Sequence, residues 1–239
     1  MLNNTYRFAE LNIEIRSIYA YIHELCTDYV TDQPADFMVN TTQDDILFER
    51  ERSEDLRASD EYLETLAVYR KIAEKIPEYD AFLFHGSSIK VDGCAYIFTA
   101  KSGTGKSTHA ALWRKLLSDK AVMINDDKPI IRVTSSGTAY VYGTPWDGKH
   151  KLSANTYAPV QAICILDRSD SNSIKRISKT EALPVLLQQV YRPFESSAME
   201  RTMDLLFKMD AEFYHLFCNM DISAAELSYG VMRKGNNET

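Results

Sequence analysis

Eight consecutive residues, Ala100-Lys-Ser-Gly-Thr-Gly-Lys-Ser107, have the types and spacing of a loop that wraps phosphate. They follow the pattern G-x-x-x-x-G-K-[ST] except at the first position, where alanine stands in place of glycine. Gly103 and Gly105 permit the positive φ angles that turn successive amides inward around an anion. The helix expected from Lys106 adds its positive end, the Lys106 ammonium suits the β and γ phosphates, and the Ser107 hydroxyl suits Mg²⁺. The expected ligand is therefore ATP with Mg²⁺, held by Ser102, Gly103, Thr104, Gly105, Lys106, Ser107 and Thr108.

Phosphoryl transfer also needs a second metal contact and a group that orients or deprotonates the nucleophile. Asp126 and Asp127 close a short apolar run just after the loop's helix. Either could join Ser107 on the metal while the other takes the proton of an acceptor hydroxyl, although Asp pairs at strand ends also serve simply as turns. His85, followed by Gly-Ser-Ser, ends a strand that should lie near the loop; it reads equally as structural or as a catalytic partner of Lys106 and the two acids. The segment Gly143-Thr-Pro-Trp-Asp-Gly-Lys-His150 combines turn formers with Trp146, Asp147, Lys149 and His150. That mixture points to an active-site loop, with Lys149 facing the γ phosphate. Arg192 is a further cation whose ordinary use is an exposed salt bridge.

These residues need a scaffold that alternates strands and helices. Leu11, Ile13 and Ile15, then Phe37 and Val39, alternate with polar residues, which predicts a small antiparallel sheet in the first 40 residues. After an N-cap at Ser59 or Asp60, the helical spacing of Tyr62, Leu66, Tyr69, Ile72 and Ile76 predicts a core-facing helix stopped by Pro77. Strands follow at 81–85, 88–91 and 94–99, the last two joined by the Asp92-Gly93 turn, and the third runs into the phosphate loop. A helix over 106–117, a strand over 121–124, a hairpin of 130–133 with 140–142, and a buried strand over 161–166 come next. Asp167–Asn172 lacks the glycine and glutamate of a calcium loop and is expected to be a polar hairpin. Helices are expected over 180–190 and 197–216, with a frayed tail after Lys234.

With 45% hydrophobic and 26% charged residues the 239-residue chain is an ordinary folded protein, large enough for a catalytic portion over 81–239 and an accessory α+β portion over 1–80. A net charge of −7 with no dense Lys/Arg tract argues against nucleic acid as a partner. Cys26, Cys94, Cys164 and Cys218 form no CxxC pair and read as buried thiols. The N-terminus lacks a signal-peptide pattern and no apolar run approaches about 18 residues, so a cytoplasmic protein without membrane contact is expected.

Together, AFLFHGSS, AKSGTGKSTHAALW, MINDDKP and GTPWDGKH resemble the C-terminal catalytic domain of HPr kinase/phosphorylase and its relatives, including the serine kinases of peptide-maturation clusters. The likeness spans about residues 81–170. It implies a mixed α/β fold with a P-loop nucleotide site of the phosphoenolpyruvate carboxykinase-like kind, not an all-parallel sheet. It also implies roles: Gly103, Gly105, Lys106 and Ser107 for phosphate, His85 as the active-site histidine, and Asp126 and Asp127 for the metal and the acceptor serine. Thr108 stands where HPr kinases commonly carry glutamate, and the segment before His85 is unlike their N-terminal domain. The expected activity is ATP-dependent transfer of the γ phosphate to a serine of a peptide or protein. A small alcohol as acceptor, or a nucleotide-binding sensor without turnover, are the alternatives, and association with a second copy of the chain is left open.

Overall fold

The computed structural model describes residues 1–148 and 150–233, so Lys149 and the tail expected to fray lie outside the described residues. Alternating apolar residues in Leu2–Phe8 (β1) and Leu11–Ser17 (β2) pair the two strands antiparallel, across a tight turn in which Ala9 and Glu10 both have positive φ. The third strand, Phe37–Asn40 (β3), departs from the antiparallel expectation and pairs parallel with β2. Residues 18–36, which include the short helix Tyr21–Leu25 (α1), carry the chain back to the starting end of the sheet, as a parallel neighbour requires.

Helix Gln43–Arg52 (α2), closed by a Thr42/Asp45 capping box, packs on Asp60–Lys75 (α3), which is capped by the Ser59 side chain and itself packs on this sheet. The buried stripe of α3 is rotated from the expected one: Leu63, Ala67, Val68 and Ile72 are fully buried, whereas Tyr62 is 45% exposed. Glu64 explains the rotation. Its carboxylate faces inward, accepting from Ile18 N, Tyr19 N and the Thr41 hydroxyl, so a charged residue lies at the centre of the packed face.

A nine-stranded sheet forms the rest of the scaffold. Its strands are Ala81–Leu83 (β4), Ser87–Val91 (β5), Cys94–Thr99 (β6), Val122–Asn125 (β7), Ile130–Val133 (β8), Ala139–Tyr142 (β9), Tyr157–Arg168 (β10), Ser173–Ile177 (β11) and Glu212–Cys218 (β12). The order is β4-β8-β9-β10-β6-β5-β7, with β12 on β10 and β11 on β12. Both expected hairpins form, the first through positive φ at Asp92 and Gly93, the second through Gly137. The long β10 pairs in turn with β9, β6 and β12, with an irregularity between Val160 and Ala162, and the sheet curls around it. Strands β6, β10 and β12 run parallel, so their carboxyl ends meet at one edge. Crevices at such edges are where open α/β sheets bind ligands.

Helices Lys106–Leu117 (α4) and Ile222–Met232 (α7) pack on one face of the sheet around Trp113, Phe98 and Cys164. Lys179–Gln189 (α5) and Ser196–Lys208 (α6) pack on the other, around Phe82, Ile131 and Ile163. A third cluster joins Tyr6, Phe8, Ile13, Val68 and Ile72 to Leu83, Ile130, Tyr142 and Trp146, so residues 1–80 share a core with the large sheet. The fold is mixed α/β.

Three expectations are corrected. The helix expected over 197–216 ends at Lys208, and Glu212–Cys218 is the strand β12: its Phe213, Tyr214 and Leu216 are buried where it pairs with β10 and β11, and that pairing outweighs local helical spacing. The Asp167–Asn172 segment is not a hairpin turn, because β12 lies between β10 and β11. Of the four cysteines, all free, only Cys26 and Cys164 are fully buried.

Candidate active site at the Asp126–Asp127 turn

Strand β6 passes into the loop Ala100–Gly105, where Gly103 (φ 77°) and Gly105 (φ 124°) take the conformations that favour glycine. Ala100 has no positive φ, so alanine at the first motif position imposes no strain. The Thr104 amide donates to the Lys101 carbonyl at 3.2 Å, and α4 begins directly after Gly105. Lys106 folds back, 8% exposed, with its Nζ donating to the Ala100 carbonyl at 3.1 Å. Ser102 and Gly103 are exposed, Thr104 half-buried, and Ser107 and Thr108 exposed on the first turn of α4. Arg168, at the carboxyl end of β10, holds the loop from outside: Nε donates to the Thr104 carbonyl at 3.2 Å and a terminal nitrogen donates to the Gly103 carbonyl. A cavity of about 540 Å³ lies beside this loop, bordered by Gly103–Gly105, Thr108, Leu112 and Met220.

The acidic turn is built by Asn125. Its Oδ1 accepts from the amides of Asp127 (2.8 Å) and Lys128 (2.6 Å), while its Nδ2 donates to the Thr144 carbonyl (3.1 Å) and hydroxyl (3.0 Å) and to the Trp146 carbonyl (3.3 Å). The turn and the 143–148 loop are thereby one unit. Asp126 is 5% exposed and accepts from the Ser87 hydroxyl at 2.6 Å, with the Ser107 side chain close enough to favour its ionised form. Burial pushes its carboxyl above the usual range, against the pull of those two hydroxyls. Asp127 lies beside His85 (Nε2 to Oδ1, 3.4 Å) and Lys128 (Nζ to Oδ2, 3.8 Å).

Burial also depresses Lys106, opposed by the negative charge of Asp127 and Asp126. His85 is depressed by burial and by the Lys106 ammonium, with Asp127 opposing; its Nδ1 pairs with Gln189 Oε1 at 2.9 Å. Lys106, Ser107, His85, Asp126 and Asp127 are thus gathered at one place. Among the described residues no group of three or more His, Cys, Asp or Glu could by itself hold a metal ion.

The 143–148 loop behaves only partly as expected. Trp146 is 5% exposed and lies between Phe8 and Tyr69, with its indole N–H donating to the Thr65 carbonyl at 3.0 Å; it ties the loop to α3. Asp147 caps its own loop, accepting from Gly148 N (2.6 Å), Ser153 N (2.8 Å) and Asp126 N (3.4 Å). His150 is close enough to Asp126 to favour its ionised form, and Lys149 lies outside the described residues. Arg192 forms no salt bridge among the described residues and donates to the Leu187 carbonyl at 3.3 Å. On the far side of this loop a cavity of about 510 Å³ opens between α1, α3 and the turn, with Asp127 in its wall.

Sequence reasoning passed over four residues that shape this place: Ser87, Asn125, Arg168 and Gln189. Ser87 and Asn125 adjoin His85 and the acids, so a rule that short polar residues next to catalytic groups orient them could have found both. Arg168 and Gln189 meet the site only through the sheet's curl.

No curated protein matches the chain in sequence. Among solved structures it is similar to the Hpr(Ser) kinase/phosphatase from Coxiella burnetii, with 11% identity, 53% of this chain and 92% of that chain covered, and a TM-score of 0.30. That is a distant likeness and carries no argument about the reaction. The model of the family described as SynChlorMet cassette protein ScmC matches residues 51–220, which include the 100–107 segment, the acidic turn and the whole of the large sheet. The chain belongs to the ScmC family of SynChlorMet cassette proteins.

Proposed function

We propose that this chain is an ATP-dependent kinase that transfers the γ phosphate to a hydroxyl, a serine of a peptide or protein. One observation carries the reading: the two adjacent acids face different ways. Asp126 is buried, bonded to the Ser87 hydroxyl and close enough to Ser107 on the first turn of α4 for that side chain to favour its ionised form, while Asp127 stands in the wall of a separate cavity. In this reading the triphosphate lies on the amides of the Gly103–Gly105 loop with Lys106 beside its β and γ groups, and the nucleoside takes the cavity beside Thr108.

Ser107 and Asp126 fit a Mg²⁺ ion. Asp126 makes no ion pair among the described residues, its desolvated carboxylate favours a hard cation, and the remaining ligands would be phosphate oxygens and water. Magnesium, when bound, supplies neutralisation of the charge that develops on the leaving oxygen. The chain's own residues do the rest. Asp127 accepts the proton of the acceptor hydroxyl as its oxygen bonds to the γ phosphorus; the bond from that phosphorus to the bridging oxygen breaks, and ADP leaves. His85, neutral because burial and Lys106 depress it and with its Nδ1–H on Gln189 Oε1, turns an unprotonated Nε2 toward Asp127, placed to share the proton that Asp127 takes up.

The test is incubation with γ-labelled ATP, Mg²⁺ and serine peptides, comparing the wild type with Lys106→Ala and Asp127→Asn. Label on the peptide, lost in both variants, supports the kinase. ATP binding without transfer to any peptide or small alcohol would establish a sensor instead.

A further inference from the structure

The 510 Å³ cavity has a wall that the proposed chemistry does not use. Opposite Asp127 it is formed by α1 and the turn after it, which present Glu24 and Asp28 four residues apart, both exposed. Neither carboxylate has an ion-pair partner among the described residues. Around them stand Tyr21, Leu25, Tyr62 and Leu66, and Tyr62 is 45% exposed at the rim. The other charges of the lining are committed: Asp147 to backbone amides, Lys128 to Asp127 and the face of Tyr69, leaving Lys151 on the opposite loop. Within this cavity the Ser153 hydroxyl oxygen is buried with no partner.

We infer that this cavity binds the acceptor, and that the acceptor is a peptide segment whose serine is flanked by Lys or Arg, the cation meeting Glu24 and Asp28 while the serine reaches Asp127. The inference rests on the kinase reading for the reaction itself, but the charge preference can be measured without turnover. Two unpaired carboxylates favour a cation, and the tyrosine and leucine surface favours the aliphatic stem of a long basic side chain with its neighbours. A small amino alcohol would satisfy the charge and leave that surface uncovered.

The experiment uses the full chain and two short labelled peptides that differ only in Lys or Glu beside the serine, with ethanolamine as a third candidate. Anisotropy without ATP reads binding, and γ-labelled ATP with Mg²⁺ reads transfer. The Lys peptide should bind roughly tenfold more tightly than the Glu peptide, and Glu24→Gln with Asp28→Asn should erase the difference. The same pair of substitutions should raise KM for the Lys peptide roughly tenfold and leave kcat and the KM for ATP unchanged. Equal binding of the two peptides overturns the inference, as does a preference that survives both substitutions, or ethanolamine being phosphorylated while neither peptide binds. Charge-selective binding with no transfer to anything sinks the kinase reading and leaves this one standing.

Discussion

Two sides of one turn differ in how they are made. On the Asp126 side the parts come from the large sheet and the helix that follows β6: the loop follows β6, Lys106 starts α4, Arg168 ends β10, Ser87 opens β5, and backbone groups, a hydroxyl and these two cations form the contacts. On the Asp127 side α1, the turn after it and α3, elements of the first 80 residues, face the 144–155 segment, and Tyr21, Leu25, Tyr62 and Leu66 bring long or aromatic side chains to that wall. The first side is built to hold a charged group in a fixed place. The second has the area and variety of a surface that selects a partner. A kinase of one chemistry and changeable acceptor needs that division, and each prediction below tests whether it is real.

The largest effect is expected at the boundary. Asp127→Asn should lower transfer by about 10³-fold, near 4 kcal/mol of barrier, while ATP affinity stays within about twofold. Asp126→Asn should do the reverse in kind, weakening Mg²⁺-dependent nucleotide binding first. Titration of Mg²⁺ and ATP with each variant separates the two. If Asp127→Asn costs as much in ATP affinity as in rate, the acids act as one metal site and the comparison collapses.

Next in size is the joint between the sides. Trp146 packs against Phe8 and Tyr69 and bonds Thr65, so it links the 143–148 loop to the first 80 residues. Trp146→Ala should cost about 3 kcal/mol in denaturant unfolding by removing a buried ring and its hydrogen bond. In native-state hydrogen exchange, α1 and α3 should lose protection more than α4 does. Uniform loss would mean that the two sides stand and fall together.

The side that sequence reasoning could read was the one made of backbone devices. A glycine loop must carry its glycines at fixed offsets, so Gly103, Gly105 and Lys106 announce themselves, and Asp92-Gly93 does the same for its hairpin. The wall opposite Asp127 has no such constraint. Glu24 and Asp28 look like any solvated helix surface until the fold brings them opposite Asp127. Glu64 was likewise unreadable, because a buried acid is permitted only by amides that come from residues 18 and 19 and a hydroxyl from residue 41. The missed strand β12 failed for a related reason, since its partners β10 and β11 lie 35 or more residues earlier in the chain and no local window contains them.

Acid should discriminate the sides as well. His109, 2% exposed in α4 just after the Ala100–Gly105 loop, is pushed down by burial to about 4 from an ordinary 6.5. Between those values the unfolded chain binds a proton that the folded chain does not, so stability rises with pH across that window and falls as acid is added. By pH 5 the loss should be about 2 kcal/mol. His109→Phe should flatten that slope in urea unfolding between pH 7 and 5. His23 on the other side is also depressed by burial, yet both its ring nitrogens have partners, Tyr6 at 2.6 Å and Ser17 at 2.9 Å, whereas His109 Nδ1 has none. An unchanged slope in His109→Phe would assign the acid sensitivity to the N-terminal side.

The smallest effect, and the sharpest on the nature of the loop, belongs to Arg168. Its guanidinium reaches two successive loop carbonyls from two different nitrogens, a fixed fork that the single nitrogen of a lysine does not reproduce. Arg168→Lys should therefore behave like Arg168→Ala, each raising the KM for ATP about fivefold with kcat unchanged, as expected for loss of roughly 1 kcal/mol of loop order before binding. Because the side chain is exposed, unfolding free energy should move little in either variant. A fall in kcat at unchanged KM would mean something different: that Arg168 leaves the carbonyls and meets the transferring phosphate in the transition state. Lysine would then rescue part of the rate that alanine loses, because only charge would be required. The two variants measured side by side thus decide whether the loop is held open by a fixed brace or completed by a moving cation.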